Sequence, residues 1–237
     1  MMMSRYTLPL LCLQLLFFVS ENSYANLVAD PTRTTIEGLQ KNRTVRAYNS
    51  GDTPLYLDVT LVRIENPGEI AEIKTPIGEI KRPEMIFNPT RITLAPNQER
   101  EINLIPLQMP QQETLYRLYI NPVLDLKPAS LSAKPEQTIS APMILSIAYG
   151  VLIHHVPEKK MQRKSWSHQC VAEGIQLTAT GNVRSQFTRL NLWSKKQKQK
   201  QKETEKSKSI YPGTPYIVPV KQLSGEADGV PFDLHCP

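Results

Sequence analysis

Short stretches of alternating apolar and polar residues dominate the first half of the chain. Residues 55–64 are the clearest, because Leu55, Leu57, Val59 and Leu61 fall on one face of an extended strand. No segment beyond residue 25 has helical periodicity, so the pattern predicts an all-β fold. Further strands are predicted at residues 27–29 and 34–36 on either side of Pro31, and at 44–48, 92–94, 100–105 and 115–120.

Residues 143–153 (MILSIAYGVLI) are the most apolar segment after the N-terminus. Met143, Leu145 and Ile147 fall on one face of a strand, and the opposite face is apolar as well. A strand of this kind needs cover on both sides. A seven-strand sandwich would end here, with this strand at a sheet edge where another strand can add. We therefore expect a further element or a partner's strand to cover it.

A second domain is predicted after Pro157 and the polar stretch 158–164. Residues 121–138 contain three prolines without periodicity and predict a long loop. Beyond the boundary, shorter apolar runs predict strands at 170–178, 184–193, 216–220 and 232–236. The expected division is a first domain over residues 26–157 and a smaller β domain over residues 158–237.

The first 25 residues have the order of a cleavable secretory signal. Arg5 precedes an apolar stretch, and Ser23-Tyr24-Ala25 supplies small residues at the cleavage positions. The apolar stretch is shorter than the ~20 residues of a membrane span, which disfavours the alternative of a retained anchor. We expect a mature chain that begins at Asn26, is exported, and has no stable membrane insertion.

Two cysteines remain once the signal is removed, since Cys12 lies within it. An oxidising compartment would allow Cys170 and Cys236 to pair. A bridge over this distance would stabilise the fold by about 4 kcal/mol in the chain-entropy model. Two buried thiols are the alternative.

The net charge of +6 is concentrated in residues 195–208, KKQKQKQKETEKSK. Such a tract can bind nucleic acid or an anionic surface. Here it lacks interleaved aromatic residues and contains Glu203 and Glu205. It is more typical of a solvated loop between two strands, and we expect no nucleic-acid partner.

Catalytic and metal-binding patterns are absent from the sequence. His154 and His155 are adjacent, so on a strand they point to opposite faces and cannot share a metal ion. No phosphate loop, nucleophile elbow or metal-ligand spacing is present. We expect no cofactor, no metal and no enzymatic activity.

The order of several short runs resembles the PapD-like periplasmic pilus chaperones, in particular their alternate, CfaA-like branch. The likeness covers nearly all of the first domain and scattered positions of the second. The runs that carry it are 26–27 (NL), 44–48 (TVRAY), 64–68 (IENPG), 89–96 (PTRITLAP), 115–119 (LYRLY), 147–153 (IAYGVLI) and 181–184 (GNVR).

This resemblance implies two immunoglobulin-like domains set at an angle, with a cleft between them that binds pilus subunits. It implies a periplasmic chaperone of the chaperone-usher pathway that binds, folds and caps these subunits and delivers them to an outer-membrane usher. Through donor-strand complementation, Met143, Leu145 and Ile147 would fill the open groove of a pilus subunit. Alternatively, these side chains pack only within their own sheet, and the chain is a secreted adhesin or a structural fimbrial subunit.

The family anchors the terminal carboxylate of the pilus subunit on two basic residues. Arg33, in the run 30–38, matches the first of them, and arginine suits a carboxylate because its planar fork donates two hydrogen bonds. The second position is Leu152, so Arg117 is the expected substitute, with Arg46 as a further candidate. Both could instead pair with Asp58 or Glu101. Self-association of the free protein is a further expectation, because it would cover the exposed strand.

Overall fold

Two β-sandwiches make up the fold in the computed structural model, which describes residues 26–123, 147–193 and 203–237. The strands of the first sandwich are β1 (Leu27–Asp30), β2 (Arg33–Glu37), β3 (Arg43–Asn49), β4 (Leu55–Ile64), β5 (Lys74–Pro76), β6 (Met85–Asn88), β7 (Arg91–Leu94), β8 (Glu99–Pro106), β9 (Thr114–Pro122) and β10 (Tyr149–Val156). A short 3-10 helix, Ile77–Glu79, follows β5. The all-β prediction is confirmed.

Two sheets face each other in the first domain. One has the order β1-β3-β8-β6, and the other has the order β2-β10-β9-β4-β5, with β7 also paired to β4. Alternate residues of these strands form the core, as the alternation in the sequence predicted. Its fully buried members include Val45, Leu57, Ile102, Tyr116 and Ile153.

The first strand changes sheet at Pro31. Before it, β1 pairs with β3, and after it β2 pairs in parallel with β10. From Leu152 to Val156 the predicted edge strand is covered by β2, which is the further element that the sequence led us to expect. Pairing with β9 extends further, back to Tyr149. In the described part of the chain, residues 149–151 of β10 are thus paired on one side only.

The predicted strand at residues 143–153 corresponds in part to β10. Met143 and Leu145 lie outside the described residues. Ile147 precedes β10, and 56% of its surface is exposed.

The second domain packs two further sheets. Its strands are β11 (Trp166–Val171), β12 (Gly174–Ala179), β13 (Ser185–Trp193), β14 (Glu203–Ile210), β15 (Tyr216–Val218), β16 (Gln222–Ala227) and β17 (Val230–His235), and a 3-10 helix, Lys159–Met161, precedes them. The sheet orders are β11-β12-β15 and β14-β13-β16-β17. Trp166, Phe187 and Phe232 contact one another edge to face in the core, with ring centroids 5.1–5.6 Å apart.

The lysine-rich tract differs from its predicted loop from residue 203 onward, and residues 195–202 lie outside the described residues. Residues 203–210 form β14, which lies at the edge of its sheet and pairs with β13. Edge strands of natural proteins often carry lysine, which opposes pairing with further chains. The polar composition of the tract is therefore compatible with a strand in this position.

Cys170 and Cys236 form a disulfide, so this prediction is confirmed. The bond joins β11 to the residue that follows β17, and these strands belong to different sheets. It therefore ties the C-terminus across the second sandwich.

Candidate functional site: the cleft between the domains

Arg33, Leu152 and Arg117 lie in one row across the first domain. Leu152 is the Cα partner of Arg33 on β2 and of Arg117 on β9. Because strands are about 4.8 Å apart, the two arginines are separated by roughly 10 Å at their Cα atoms. Val151 and Ile153 point into the core, so the row points outward. The structure thus places both predicted basic residues on one face, on either side of Leu152.

The second domain faces this row. A cavity of about 230 Å³ lies between Arg117 and Leu152 on one side and Lys208 and Tyr211 on the other. The Lys208 ammonium donates a hydrogen bond to the carbonyl of Gly68 at 3.0 Å and lies 3.9 Å from the ring centroid of Tyr216. Lys208 is thus a third basic group of the cleft. The sequence singled out Lys208 only as part of the basic tract 195–208, because its place in the cleft depends on how the two domains meet.

Arg117 forms an ion pair with Glu72, which comes from the loop between β4 and β5. The alternative pairing with Asp58 or Glu101 is not what the structure has, since Asp58 pairs with Arg91 at 3.3 Å. Arg117 Nε is buried and has no hydrogen-bond partner within the described ranges. The guanidinium is therefore only partly satisfied.

Gly150 leaves space for the Arg117 side chain. A Cβ atom at this position would lie 3.2 Å from Arg117 Cδ and 3.4 Å from Tyr119 Cε1. The stem of Arg117 therefore crosses the outer face of β10 where a side chain is absent.

An apolar seam closes the inner end of the cleft. Ile64, Leu115 and Tyr211 are buried together, and Leu152 packs against them. The Tyr211 ring is stacked on the His154 ring at 6.2 Å between centroids. Burial raises the pKa of Tyr211, and the nearby charge of Glu113 acts in the same direction, while Arg184 and Arg33 oppose it. The phenol therefore stays neutral in the cleft.

A buried charged cluster joins the two domains behind this seam. Glu113 of the first domain accepts a hydrogen bond from the backbone N–H of Arg184 at 2.8 Å and also pairs with the Arg184 guanidinium. His154 Nδ1 lies 2.8 Å from the other carboxylate oxygen. Burial raises the pKa of Glu113, but the hydrogen bonds from His154 and Arg184 outweigh it and lower the pKa below its ordinary value. Glu113 is therefore ionised, with the Arg184 guanidinium as its cationic partner and the His154 ring beside it.

The run 181–184 positions Arg184 in this cluster. A Cβ atom at Gly181 would lie 2.0 Å from the Arg163 carbonyl oxygen, so only glycine fits. The Asn182 carbonyl accepts a hydrogen bond from the Glu113 N–H at 2.8 Å, and the Asn182 side chain binds the Met161 carbonyl at 2.9 Å. This run, noticed in the sequence for its resemblance alone, is thus part of the joint between the domains.

The remaining candidates lie away from the cleft. Arg46 is on β3 in the other sheet, where it pairs with Asp30 and Glu99 at 3.5 and 3.3 Å. His154 and His155 point to opposite faces, as predicted, and His155 Nε2 donates a hydrogen bond to the Gly38 carbonyl at 2.8 Å.

Within the described residues, no group of three or more His, Cys, Asp or Glu side chains could hold a metal ion. The helices of those residues are all too short to cross a bilayer.

Comparison with known sequences gives two distant relatives, and no family model matches the chain. The CS1 fimbrial subunit designated B, from Escherichia coli, is 25% identical over 198 residues, which cover 81% of this chain and 79% of that protein. The CFA/I fimbrial subunit designated A, also from Escherichia coli, is 25% identical over 142 residues, covering 60% of this chain and 58% of that protein.

Comparison with solved structures gives much fuller coverage. The class 5 fimbriae chaperone CfaA superimposes with a TM-score of 0.67 at 19% identity, over 90% of this chain and 99% of that one. A chain of the chaperone–tip adhesin complex of CFA/I fimbriae biogenesis gives a TM-score of 0.65 at 20% identity over the same shares. The periplasmic chaperone SfaE gives 0.53 at 12% identity, over 89% of this chain and 99% of that one.

The chain therefore has the two-domain fold of the fimbrial chaperones. Both sandwiches take part in this likeness, since it extends over nine-tenths of the chain.

Proposed function

We propose that this protein is a periplasmic chaperone that binds and caps fimbrial subunits by lending them a strand. The observation that carries the proposal is that the first residues of β10, at the mouth of the cleft, have one unpaired backbone edge. Residues 149–151 pair with β9 on one side, while the pairing with β2 on the other side begins only at Leu152. A backbone edge of this kind can take up a further strand from a partner.

The apolar side chains that lead into this edge supply the recognition surface. Ile147 is more than half exposed immediately before β10. We propose that Ile147, together with Met143 and Leu145, fills pockets in the open groove of a fimbrial subunit. Each side chain would contribute about 1.5–3 kcal/mol if fully buried, before the costs of association.

The basic row provides the second half of the proposed binding site. Arg33 is exposed beside the unpaired edge, and Arg117 lies two strands away on the same face. We propose that these two arginines hold the terminal carboxylate of the bound fimbrial protein above Leu152. The carboxylate would then set the register in which the lent strand enters the groove.

We propose that the protein binds its partners and does not catalyse a reaction, and its likeness in fold to the fimbrial chaperones supports this proposal. We further propose that an outer-membrane usher receives the bound subunits, and that residues 1–25 are a signal removed on export to the periplasm. Self-association of the free protein would cover the unpaired edge until its fimbrial partner binds. Neither nucleic acid nor a membrane takes part in this proposal.

A structural fimbrial subunit is the rival proposal, since both sequence relatives are named as fimbrial subunits. The two functions differ in where the protein ends up. A structural subunit is incorporated into the fibre, whereas a chaperone releases its partner during assembly and stays out of the fibre. Immunoblots of purified fibres, with the periplasmic extract as the reference, separate the two.

Periplasmic co-expression with candidate fimbrial subunits tests the chaperone proposal. We expect soluble one-to-one complexes that are lost with Leu145→Asp or Ile147→Asp and weakened by Arg33→Ala. Val230→Asp makes the same kind of chemical change at an exposed position of β17 and should leave the complexes intact. Complexes that resist all three cleft and strand changes would place the binding surface elsewhere, and the absence of any complex would overturn the proposal.

A further inference from the structure

The Arg117–Glu72 ion pair neutralises a proposed anchor residue within the free protein. The two side chains are only 24% and 21% exposed. Lys74 Nζ lies 3.6 Å from the second carboxylate oxygen of Glu72. Glu72 is therefore held between two cations beside the row that contains Leu152.

The loop that carries Glu72 is itself well ordered by hydrogen bonds. The Asn66 side chain accepts from the Ile73 N–H at 2.6 Å and donates to the Ala71 carbonyl at 2.9 Å, closing residues 66–73 into a compact turn. Lys208 of the second domain fixes the Gly68 carbonyl of the same loop. The position of Glu72 is thus set by contacts on both sides of the cleft.

The ion pair satisfies only part of the guanidinium. Glu72 contacts Arg117 through the terminal nitrogen Nη2, while Nε is buried without a hydrogen-bond partner in the described residues. Arginine binds a carboxylate best through two parallel N–H···O bonds. A carboxylate that replaced Glu72 and bonded to Nε and Nη2 together would make a better pair than Glu72 makes.

We propose that Glu72 is a resident carboxylate that occupies Arg117 in the free protein and gives way to the terminal carboxylate of the bound subunit. The inference rests on the proposed function and adds a selection step to it. Because Glu72 competes for the same cation, a carboxylate alone binds weakly. A fimbrial subunit whose strand also pairs with β10 gains enough binding free energy to displace Glu72 from Arg117. The cleft therefore binds tightly only when a terminal carboxylate and a pairing strand are present together.

The competition can be measured without a fimbrial partner, using N-acetylglycine as a model of a chain terminus. The readout is the NMR signal of the arginine Nε–Hε groups, with the Arg117 signal assigned by its loss in Arg117→Lys. We expect Glu72→Gln to bind N-acetylglycine about fivefold more tightly than the unmodified protein, the amount that a partly exposed ion pair contributes. N-acetylglycinamide, which lacks the carboxylate, should shift the Arg117 signal in neither protein.

Glu65→Gln is the matched control, because Glu65 lies in the same loop and pairs with Arg63 at a similar exposure. It removes the same charge without touching Arg117 and should leave the affinity unchanged. Glu72→Asp keeps the charge on a shorter side chain and should give an intermediate affinity, which provides a second test if Glu72→Gln is unstable. Equal affinities in Glu72→Gln, Glu72→Asp and the unmodified protein would overturn the inference.

The two proposals fail in different ways. If complexes with fimbrial subunits form but Glu72→Gln leaves the N-acetylglycine affinity unchanged, only the role of Glu72 is refuted. If Glu72→Gln tightens N-acetylglycine binding but no such complex forms, the chaperone function on which the inference rests is refuted, and with it the role of the terminal carboxylate.

Discussion

Individual residues of the cleft position its charged groups either through their own charge or because a small side chain leaves room for a larger neighbour. Gly150 is an example, because the Arg117 stem crosses the position where a side chain would begin. Its backbone is extended within β10, so a β-branched residue fits the strand itself. A substitution here therefore changes the cleft and spares the fold.

We predict that Gly150→Val displaces Arg117 and weakens N-acetylglycine binding. Loss of one charge-assisted hydrogen bond is worth about 1.5 kcal/mol, or roughly tenfold in affinity. Gly78→Val is the control, since a Cβ atom at Gly78 meets nothing within 4 Å. NMR titration of both variants measures the difference. An unchanged affinity in Gly150→Val would show that Arg117 binds the probe from another position.

His155 is predicted to make stability depend on pH above the range in which carboxyl groups titrate. Burial lowers the pKa of His155 below its ordinary value of 6.5, although the Gly38 carbonyl and the charge of Glu84 act in the other direction. Its Nδ1 is buried without a partner in the described part of the chain, so a second proton there would find no acceptor. The unfolded chain then binds more protons than the folded one, and stability falls as the pH drops below about 6.5.

Urea unfolding at pH 7 and pH 5 measures this dependence. His155→Gln retains an N–H that can reach the Gly38 carbonyl but does not titrate, so we expect its unfolding free energy to change less between the two pH values. The fold lowers the pKa of Glu113 below its ordinary value of 4.5, so this group contributes only a small part of the change between pH 5 and pH 7. An equally steep pH dependence in His155→Gln would assign the effect to another group.

At the level of whole strands, most of the fold could be predicted from alternation alone. Residues 55–64 form β4 with the predicted bounds, because a central strand with one buried face has a clear period of two. Four strands escaped prediction. β5, β6 and β14 are short or polar and lie at sheet edges, and β16 is central but has mostly small or polar side chains. The sequence predicted that another strand would cover β10 but did not identify β2, because this parallel pairing joins residues distant in sequence.

The disulfide is predicted to stabilise the second domain only. It joins residues 66 apart and links the two sheets of that sandwich, so its loss should lower the free energy of unfolding by about 4 kcal/mol. The sequence has two tryptophans, and both belong to strands of the second domain. The Trp166 ring packs in the core of that domain, so its fluorescence reports the unfolding of the domain. We expect Cys170→Ser/Cys236→Ser to shift the fluorescence transition to lower urea concentration.

The first domain serves as the internal control for this prediction. Its tyrosines, which include the buried Tyr116, absorb without a tryptophan neighbour in their own domain. Near-ultraviolet difference absorbance also includes Tyr211, Tyr216 and the tryptophans of the second domain. Once the component that follows the fluorescence transition is subtracted, the remaining tyrosine transition should keep its midpoint in the double variant. A fluorescence transition that stayed in place would show that the bond adds little to the packed sandwich.

At the scale of the whole molecule, the sequence predicted which residues share a face but not which residues meet across the cleft. Arg33 and Arg117 could be proposed together because the strand pattern and the resemblance pointed to both. Glu72 and Lys208 could not, because each reaches the cleft from an element whose placement depends on both domains. Glu113 had no local signal either, since one buried acid among many surface acids is distinguished only by its partners.

Glu113 is predicted to set the orientation of the two domains. Glu113→Gln removes the charge that holds Arg184 and His154, and it leaves a partly buried cation without its partner. Removing one member of a buried pair costs about 3 kcal/mol or more. We expect this substitution to weaken the contact between the domains and not the domains themselves, because each sandwich keeps its own core. Small-angle X-ray scattering should then show a wider distribution of interdomain distances, while the circular dichroism of the strands is retained.

An exposed ion pair within one domain provides the control for the role of Glu113. Glu99→Gln removes the exposed pair with Arg46 in the first domain and should leave the scattering unchanged, because such a pair contributes little and does not reach the second domain. Identical scattering from Glu113→Gln and the unmodified protein would mean that the apolar seam of Ile64, Leu115 and Tyr211 holds the domains without the charged cluster.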